Sequence, residues 1–225
     1  TLNGEGLQHE DGHSILLASS NPACLVYDPA WAYEVAAIVQ EGIARMYERN
    51  EDVFYYVTLY NENFEMPAMP EGVGEGILRG LYLYRRAPEE RPLRAQLLGS
   101  GTILSQALRA QEILQRFGVA ADVWSATSYV ELRREALECE RWNRLHPDRR
   151  ARVPYVTQLL DGTEGPVVAA SDFMKAVPDM VGRWIPRDYV VLGTDGFGRS
   201  DTREALRRFF EVDAEHIAVA ALSAL

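Results

Sequence analysis

Two of the chain's four histidines lie in one short polar stretch, HEDGH at residues 9–13. The spacing satisfies H-E-x-x-H, a pattern in which two imidazoles on one helix face bind zinc beside a glutamate base. That arrangement needs a helix, and glycines at positions 4, 6 and 12 oppose one. We therefore expect a loop here, and a zinc hydrolase is the least favoured of the hypotheses.

The same stretch is dense in groups that transfer protons. Residues 4–13 hold two histidines, three carboxylates and three glycines. Glycine lets a backbone approach a ligand closely, and paired His and Glu side chains serve general acid–base chemistry. A plain polar loop is the alternative interpretation, and the residues alone do not separate the two.

Two glycine-rich turns follow predicted strands. GSGTIL (99–104) opens a predicted helix. Its free backbone N–H groups could bind an anion, or the segment could simply be the turn between a strand and a helix. GTDGFGRSD (193–201) carries Asp195, Arg199 and Asp201, and an Asp–Arg pair among them is predicted to pin the turn or to lie at a subunit contact. Neither run has the G-x-G-x-x-G spacing of a dinucleotide site.

Composition excludes several classes of function. The 225 residues carry a net charge of -10, which disfavours nucleic acid as a partner because phosphate binding needs a basic surface. No apolar run approaches the roughly 20 residues that span a bilayer, and no signal segment opens the chain. The two cysteines cannot build a disulfide framework, so a reducing cytoplasm is expected.

Strands and helices alternate along the sequence, which predicts an α/β fold with a mostly parallel sheet. Residues 1–23 are predicted to be loop, and Asp28 and Pro29 to start a helix. PYVTQLL (154–160) is predicted to be a strand. APEERP (87–92) has two prolines and no hydrophobic period, which is typical of a linker.

Several stretches together resemble the homodimeric, acetyl-transferring pyruvate dehydrogenases. They occur in family order: TLNGEGLQHEDGHS, YDPAWAYEVA, YNENFEMPAMPEG, LLGSGTIL, CERWNRLHP, RVPYV and GTDGFGRSDTRE. The resemblance implies a thiamine-diphosphate and Mg²⁺ enzyme that decarboxylates pyruvate and passes the acetyl group to the lipoyl acyltransferase component. It also implies a homodimer within a multienzyme complex.

The resemblance further implies a domain plan. Residues 1–86 would be the end of a pyrimidine-binding domain, 87–92 the linker, and 93–225 a transketolase C-terminal-like domain. Glu5 and His9 would line the substrate end of the cofactor cleft, with His9 as acid/base. The residues that bind the cofactor and Mg²⁺ in the family lie upstream, so we expect a piece of a longer chain that is inactive alone.

Two alternatives stay open beside this interpretation. The first is a non-catalytic dimerisation or scaffold module. The second is a transketolase-like enzyme acting on sugar phosphates, since HEDG also resembles the G-E-D-G-x-x-H loop of transketolases. The final histidine of that loop falls on Ile15, so its role does not carry over.

Overall fold

The structure is a computed structural model that describes residues 9–61 and 63–225. It contains two sheets. In the smaller, β1 (Cys24–Tyr27) pairs in parallel with β2 (Phe54–Val57). In the larger, the strand order is β3-β5-β4-β6-β7, and every neighbouring pair is parallel except β3 with β5. These five strands are β3 (Tyr82–Arg85), β4 (Leu93–Gly99), β5 (Val119–Ser125), β6 (Val167–Ala170) and β7 (Tyr189–Leu192).

Helices cover the larger sheet on both faces. In chain order the helices are α1 (Ser14–Ser19), α2 (Ala32–Ile43), α3 (Gly74–Arg79), α4 (Leu104–Arg116), α5 (Tyr129–Leu145), α6 (Tyr155–Leu160), α7 (Ala176–Asp179), α8 (Arg203–Phe209) and α9 (Ala214–Ala224). Side chains alternate across a strand, so Leu97 of β4 packs on the face covered by α4 and α9, while Leu98 packs on the opposite face. The expected α/β fold is confirmed.

A buried glutamate joins the two sheets. Glu34, fully buried near the start of α2, accepts backbone N–H bonds from Ala30 at 2.5 Å and Trp31 at 3.0 Å. Its other oxygen accepts hydroxyl bonds from Tyr82 at 2.7 Å and Ser125 at 2.6 Å, on β3 and β5. One carboxylate therefore caps a helix beside the smaller sheet and binds two strands of the larger sheet.

Three local predictions were wrong. Most of the segment 154–160 forms α6 (Tyr155–Leu160) and not a strand, because Val156 and Leu160, four apart, both pack into the core as a helix face requires. Residues 1–23 are not all loop, since α1 lies at Ser14–Ser19. The second helix begins at Ala32, with Glu34 bonding back to the preceding amides, so it does not start at Asp28 and Pro29.

The segment predicted as a linker connects two strands of one sheet. Residues 87–92 join β3 to β4, and the Ala87 amide donates to Asp122 on β5 at 2.7 Å. The division of the chain at residues 86 and 93 remains a prediction. The structure adds that β3, placed in the first unit by that division, hydrogen-bonds within the larger sheet.

Candidate active site

The carboxyl ends of the parallel strands of both sheets meet in one region. Asp28 follows β1 and donates its N–H to Thr127, which follows β5, at 2.8 Å; its carbonyl accepts from Gly101, which follows β4, at 3.0 Å. In the larger sheet the order of the strands reverses at β4, because β5 lies on one side of β4 and β6 lies on the other, although all three strands are parallel. Open α/β sheets bind ligands at such a reversal, outside the carboxyl ends of the strands.

A cavity of about 280 Å³ lies at this edge. Its walls come from four parts of the chain. They are the loop at 9–11, the end of β2 and the segment after it (56–60), the ends of β6 and β7 with the glycine turn, and α8 with the residue after it. The cavity thus lies between residues of both sheets, as ligand clefts between structural units commonly do.

The HEDGH loop packs against the glycine turn at 193–200. The Gly12 carbonyl accepts from Met174 at 3.0 Å, and a β-carbon on Gly12 would lie 3.1 Å from the Thr194 carbonyl oxygen. Ser200 donates to the Glu10 carboxylate at 3.1 Å. Ser200 and Glu10 are 190 residues apart, so two motifs that are separate candidates in the sequence contact each other in the structure.

Asp11 shapes the loop. Its Oδ1 accepts the backbone N–H groups of His13 at 2.8 Å and Ser14 at 2.9 Å, at the start of α1. Partial burial raises the pKa of Asp11. These two bonds, the Ser14 hydroxyl and the nearby His13 together lower it by more, so the pKa lies below its ordinary value. Residues 9–13 precede the helix, so the two histidines do not share a helix face and the geometry opposes the zinc-hydrolase hypothesis.

The structure places His9 in the cleft wall, where its side chain is exposed. Glu5, the other predicted catalytic residue, lies outside the described residues. The catalytic assignments of both remain predictions. Among residues 9–61 and 63–225, no group of three or more His, Cys, Asp or Glu side chains is arranged to hold a metal ion.

A buried aspartate beside the cleft was missed at the sequence level. The Asp28 carboxylate accepts from Thr58 at 2.6 Å and from Tyr60 at 2.5 Å, and both of these residues line the cavity. Burial raises the pKa of Asp28 to about 6, although the hydroxyls of Thr58, Tyr60 and the nearby Ser100 oppose the shift. The sequence signal that could have identified Asp28 is its position. Asp28 and Thr58 each directly follow a strand of a parallel pair, and the carboxyl ends of parallel strands lie at one edge of a sheet.

The GSGT turn is buried at the junction of the sheets. Ser100, Gly101 and Thr102 are almost without solvent exposure. Gly101 has a φ of +50°, and a β-carbon there would lie 2.3 Å from the Tyr60 hydroxyl oxygen. The glycine is needed so that Tyr60 can reach Asp28, which favours the structural interpretation of this turn over anion binding.

Arg199 pairs with neither Asp195 nor Asp201 in the part of the chain that the structure describes, so the prediction that an Asp–Arg pair pins the turn was wrong. Asp195 accepts from the Lys175 amide at 3.0 Å and lies 3.7 Å from the Lys175 ammonium, because the turn folds back onto the start of α7. The Arg199 guanidinium lies over the Phe209 ring at 5.7 Å and lines the cavity instead.

The fold and the site define a transketolase-type α/β module. Residues 80–213 match the family model of the transketolase-like C-terminal domain, and the chain belongs to that family. Residues 1–67 match the model of the pyruvate dehydrogenase E1 component middle domain. Transketolase from Leishmania mexicana has the same fold, with a TM-score of 0.69 at 16% identity over 99% of this chain and 28% of that chain.

Along its whole length the chain is similar to the pyruvate dehydrogenase E1 component. It is 54% identical to the Pseudomonas aeruginosa protein, covering 100% of this chain and 26% of that one. It is 55% identical to the Mycolicibacterium smegmatis protein, covering 100% of this chain and 24% of that one. The resemblance inferred from the motifs is confirmed, and the chain spans about a quarter of the length of these curated relatives.

Proposed function

We propose that this chain works within a longer thiamine-diphosphate enzyme that decarboxylates pyruvate and transfers the acetyl group to the lipoyl acyltransferase component. The likeness to pyruvate dehydrogenase E1 over the whole chain supports this assignment. The observation that carries it is the position of His9. This imidazole lies in a cleft at the carboxyl ends of the strands. The loop that carries it contacts the segment that follows β6 of the larger sheet.

The role proposed for His9 is proton transfer. Decarboxylation of a 2-oxo acid leaves a carbanion, and acyl transfer to a lipoyl disulfide leaves a thiolate, so both stages need a proton donor or acceptor. An imidazole has an ordinary pKa near neutrality and serves in either sense. We propose that Glu5 orients His9 or holds a substrate proton.

The cleft residues do not fit the diphosphate end of the cofactor. Among the side chains that the structure describes, three carboxylates and one guanidinium, that of Arg199, line the cleft, so its net charge would repel a diphosphate. The carboxylates are those of Glu10, Asp11 and Asp172. The described residues also offer no cluster of ligands for Mg²⁺. We therefore propose that residues outside this chain bind both groups, and that the chain alone does not turn over pyruvate.

The assembly and location follow from the same assignment. We propose that the parent protein is a cytoplasmic homodimer bound to the acyltransferase component. No helix within the described ranges is long and apolar enough to cross a membrane.

The test is pyruvate decarboxylation by the full-length protein, with ferricyanide as the electron acceptor. The His9→Ala variant should lose about a hundredfold or more, the range of general acid–base contributions. His146→Ala is the matched control, because His146 is an exposed histidine that bonds to the Trp142 carbonyl at 2.9 Å. A His9→Ala variant as active as this control would return the loop to a scaffold role.

A non-catalytic dimerisation module is the second candidate, and one observation favours it. Val39, Ile43 and Tyr47, four residues apart on α2 and the π-helical turn after it, are all exposed. Such an apolar stripe is typical of a helix that packs against a partner.

The wild-type assay with a ketose phosphate in place of pyruvate tests the sugar-phosphate alternative.

A further inference from the structure

A second, very small cavity lies behind the cleft, on the far side of Asp28. It is enclosed by Asp28, Ser100, Ser128 and Tyr129 and by apolar side chains of α1, β1 and α7, and its volume is about 10 Å³. That volume is roughly one water-sized sphere, the smallest space in which a buried water is found.

Two polar atoms on residues that line this cavity lack a hydrogen-bond partner within the described part of the chain. They are Oδ2 of Asp28 and the hydroxyl of Tyr129, and their residues are 5% and 3% exposed. One accepts hydrogen bonds and the other donates them. An unsatisfied buried polar group costs roughly 1–3 kcal/mol, so two beside one small cavity require an explanation.

The other polar atoms around the cavity have partners. Ser128 donates to the Val26 carbonyl at 2.5 Å and accepts from the Glu131 amide at 3.0 Å. Ser100 donates to Ser171 at 3.2 Å, and its hydroxyl is also close enough to the Asp28 carboxyl to lower the pKa of that group. Each of these hydroxyl oxygens still has capacity to accept one more hydrogen.

We propose that this cavity is a binding site for a single water molecule, which donates to Asp28 Oδ2 and accepts from the Tyr129 hydroxyl. Its second hydrogen has the Ser100 and Ser128 oxygens available as acceptors. The site therefore supplies the two to four polar partners that a buried water needs. The water site does not depend on the activity proposed for the cleft.

The water would extend a chain of hydrogen bonds to the cleft wall. Asp28 accepts from Tyr60 through Oδ1 and from the water through Oδ2, so the chain runs from Tyr129 through Asp28 to Tyr60. The charge of Asp172 also acts on Asp28 and, like burial, favours the protonated form. A hydrogen bond from water to the carboxylate acts in the opposite direction and stabilises the ionised form.

The first test is a high-resolution crystal structure of the full-length protein. A density peak at hydrogen-bond distance from both Asp28 Oδ2 and the Tyr129 oxygen, roughly 2.6–3.2 Å, is expected. An empty cavity would overturn the proposal. A peak with several contacts near 2.4 Å would identify a cation and would overturn it as well.

The second test uses Tyr129→Phe and amide hydrogen exchange of residues 126–130. If the hydroxyl binds water, its loss should speed exchange roughly 5- to 10-fold, as for one ordinary hydrogen bond. If the hydroxyl is unsatisfied, its removal should leave exchange unchanged or slow it. Tyr155→Phe calibrates the effect on its own neighbours, because its hydroxyl donates directly to the Leu81 carbonyl at 3.2 Å.

Discussion

The Tyr60 hydroxyl reaches the Asp28 carboxylate across the place where a β-carbon on Gly101 would lie. That position is 2.3 Å from the Tyr60 oxygen and 2.7 Å from Asp28 Oδ1. Residues that follow β1, β2 and β4 therefore share one contact. The arrangement of the cleft wall and the glycine of the GSGT turn depend on each other.

Gly101→Ala should destabilise the chain by about 2–5 kcal/mol, combining a steric clash with a left-handed backbone. Gly118→Ala is the control, because Gly118 has a φ of +75° but a β-carbon added there would enter open space. This variant should lower the free energy of unfolding by about 1–2 kcal/mol, the cost of the left-handed backbone alone. Urea unfolding gives both values, and equal losses would contradict the contact.

Glu34→Ala should lower the free energy of unfolding by about 3–5 kcal/mol, because it leaves the Ala30 and Trp31 amides and the Ser125 hydroxyl buried without an acceptor. Glu34→Gln should cost less, since the Tyr82 hydroxyl can turn to accept a hydrogen bond. Glu75→Ala is a control, because it removes an exposed ion pair with Arg79. That pair should contribute less than about 1 kcal/mol, and a comparable loss in both alanine variants would contradict the assigned role of Glu34.

Asp28 should make the protein less stable as pH rises from about 4 to about 6. Burial raises the folded-state pKa of Asp28 from 3.8 to about 6, so the folded state binds this proton more tightly than the unfolded state does. The free energy of unfolding should therefore fall across this window, by about 3 kcal/mol for this group. Asp28→Asn should flatten that part of the pH profile in urea unfolding, and two parallel profiles would show that Asp28 does not titrate there.

Gly12→Ala should impair the reaction proposed for the cleft more than it impairs folding. A β-carbon 3.1 Å from the Thr194 carbonyl would shift the loop that carries His9 by a few tenths of an ångström. Misplaced catalytic groups lose rate steeply, so a fall of about tenfold in pyruvate decarboxylation by the full-length protein is expected. Gly162→Ala is the control and should leave the rate unchanged, because the added β-carbon would enter open space.

The sequence predicted the α/β class because alternation of apolar strands and amphipathic helices is a local pattern. It failed at residues 154–160, where a short apolar run fits both periods and only the packing of Val156 and Leu160 decides. The buried acid Glu34 could not be identified, because its hydroxyl partners lie on other strands and one is 91 residues away. For Asp28 the sequence offered only its position directly after a strand. For the candidate site, spacing alone offered zinc chemistry, and the resemblance supplied the role proposed for His9.

The antiparallel strand β3 lies before the proposed linker in the chain but inside the larger sheet. Cutting the chain within residues 87–92 would therefore separate β5 from β3, its outer neighbour in the sheet. In the intact sheet Tyr82 and Leu83 of β3 pair with Ser125 and Trp124 of β5. The severed unit would carry an uncovered strand edge, a template for self-association. A soluble version of the second unit should instead begin near residue 80, where the family match also begins, and carry its own edge strand with it.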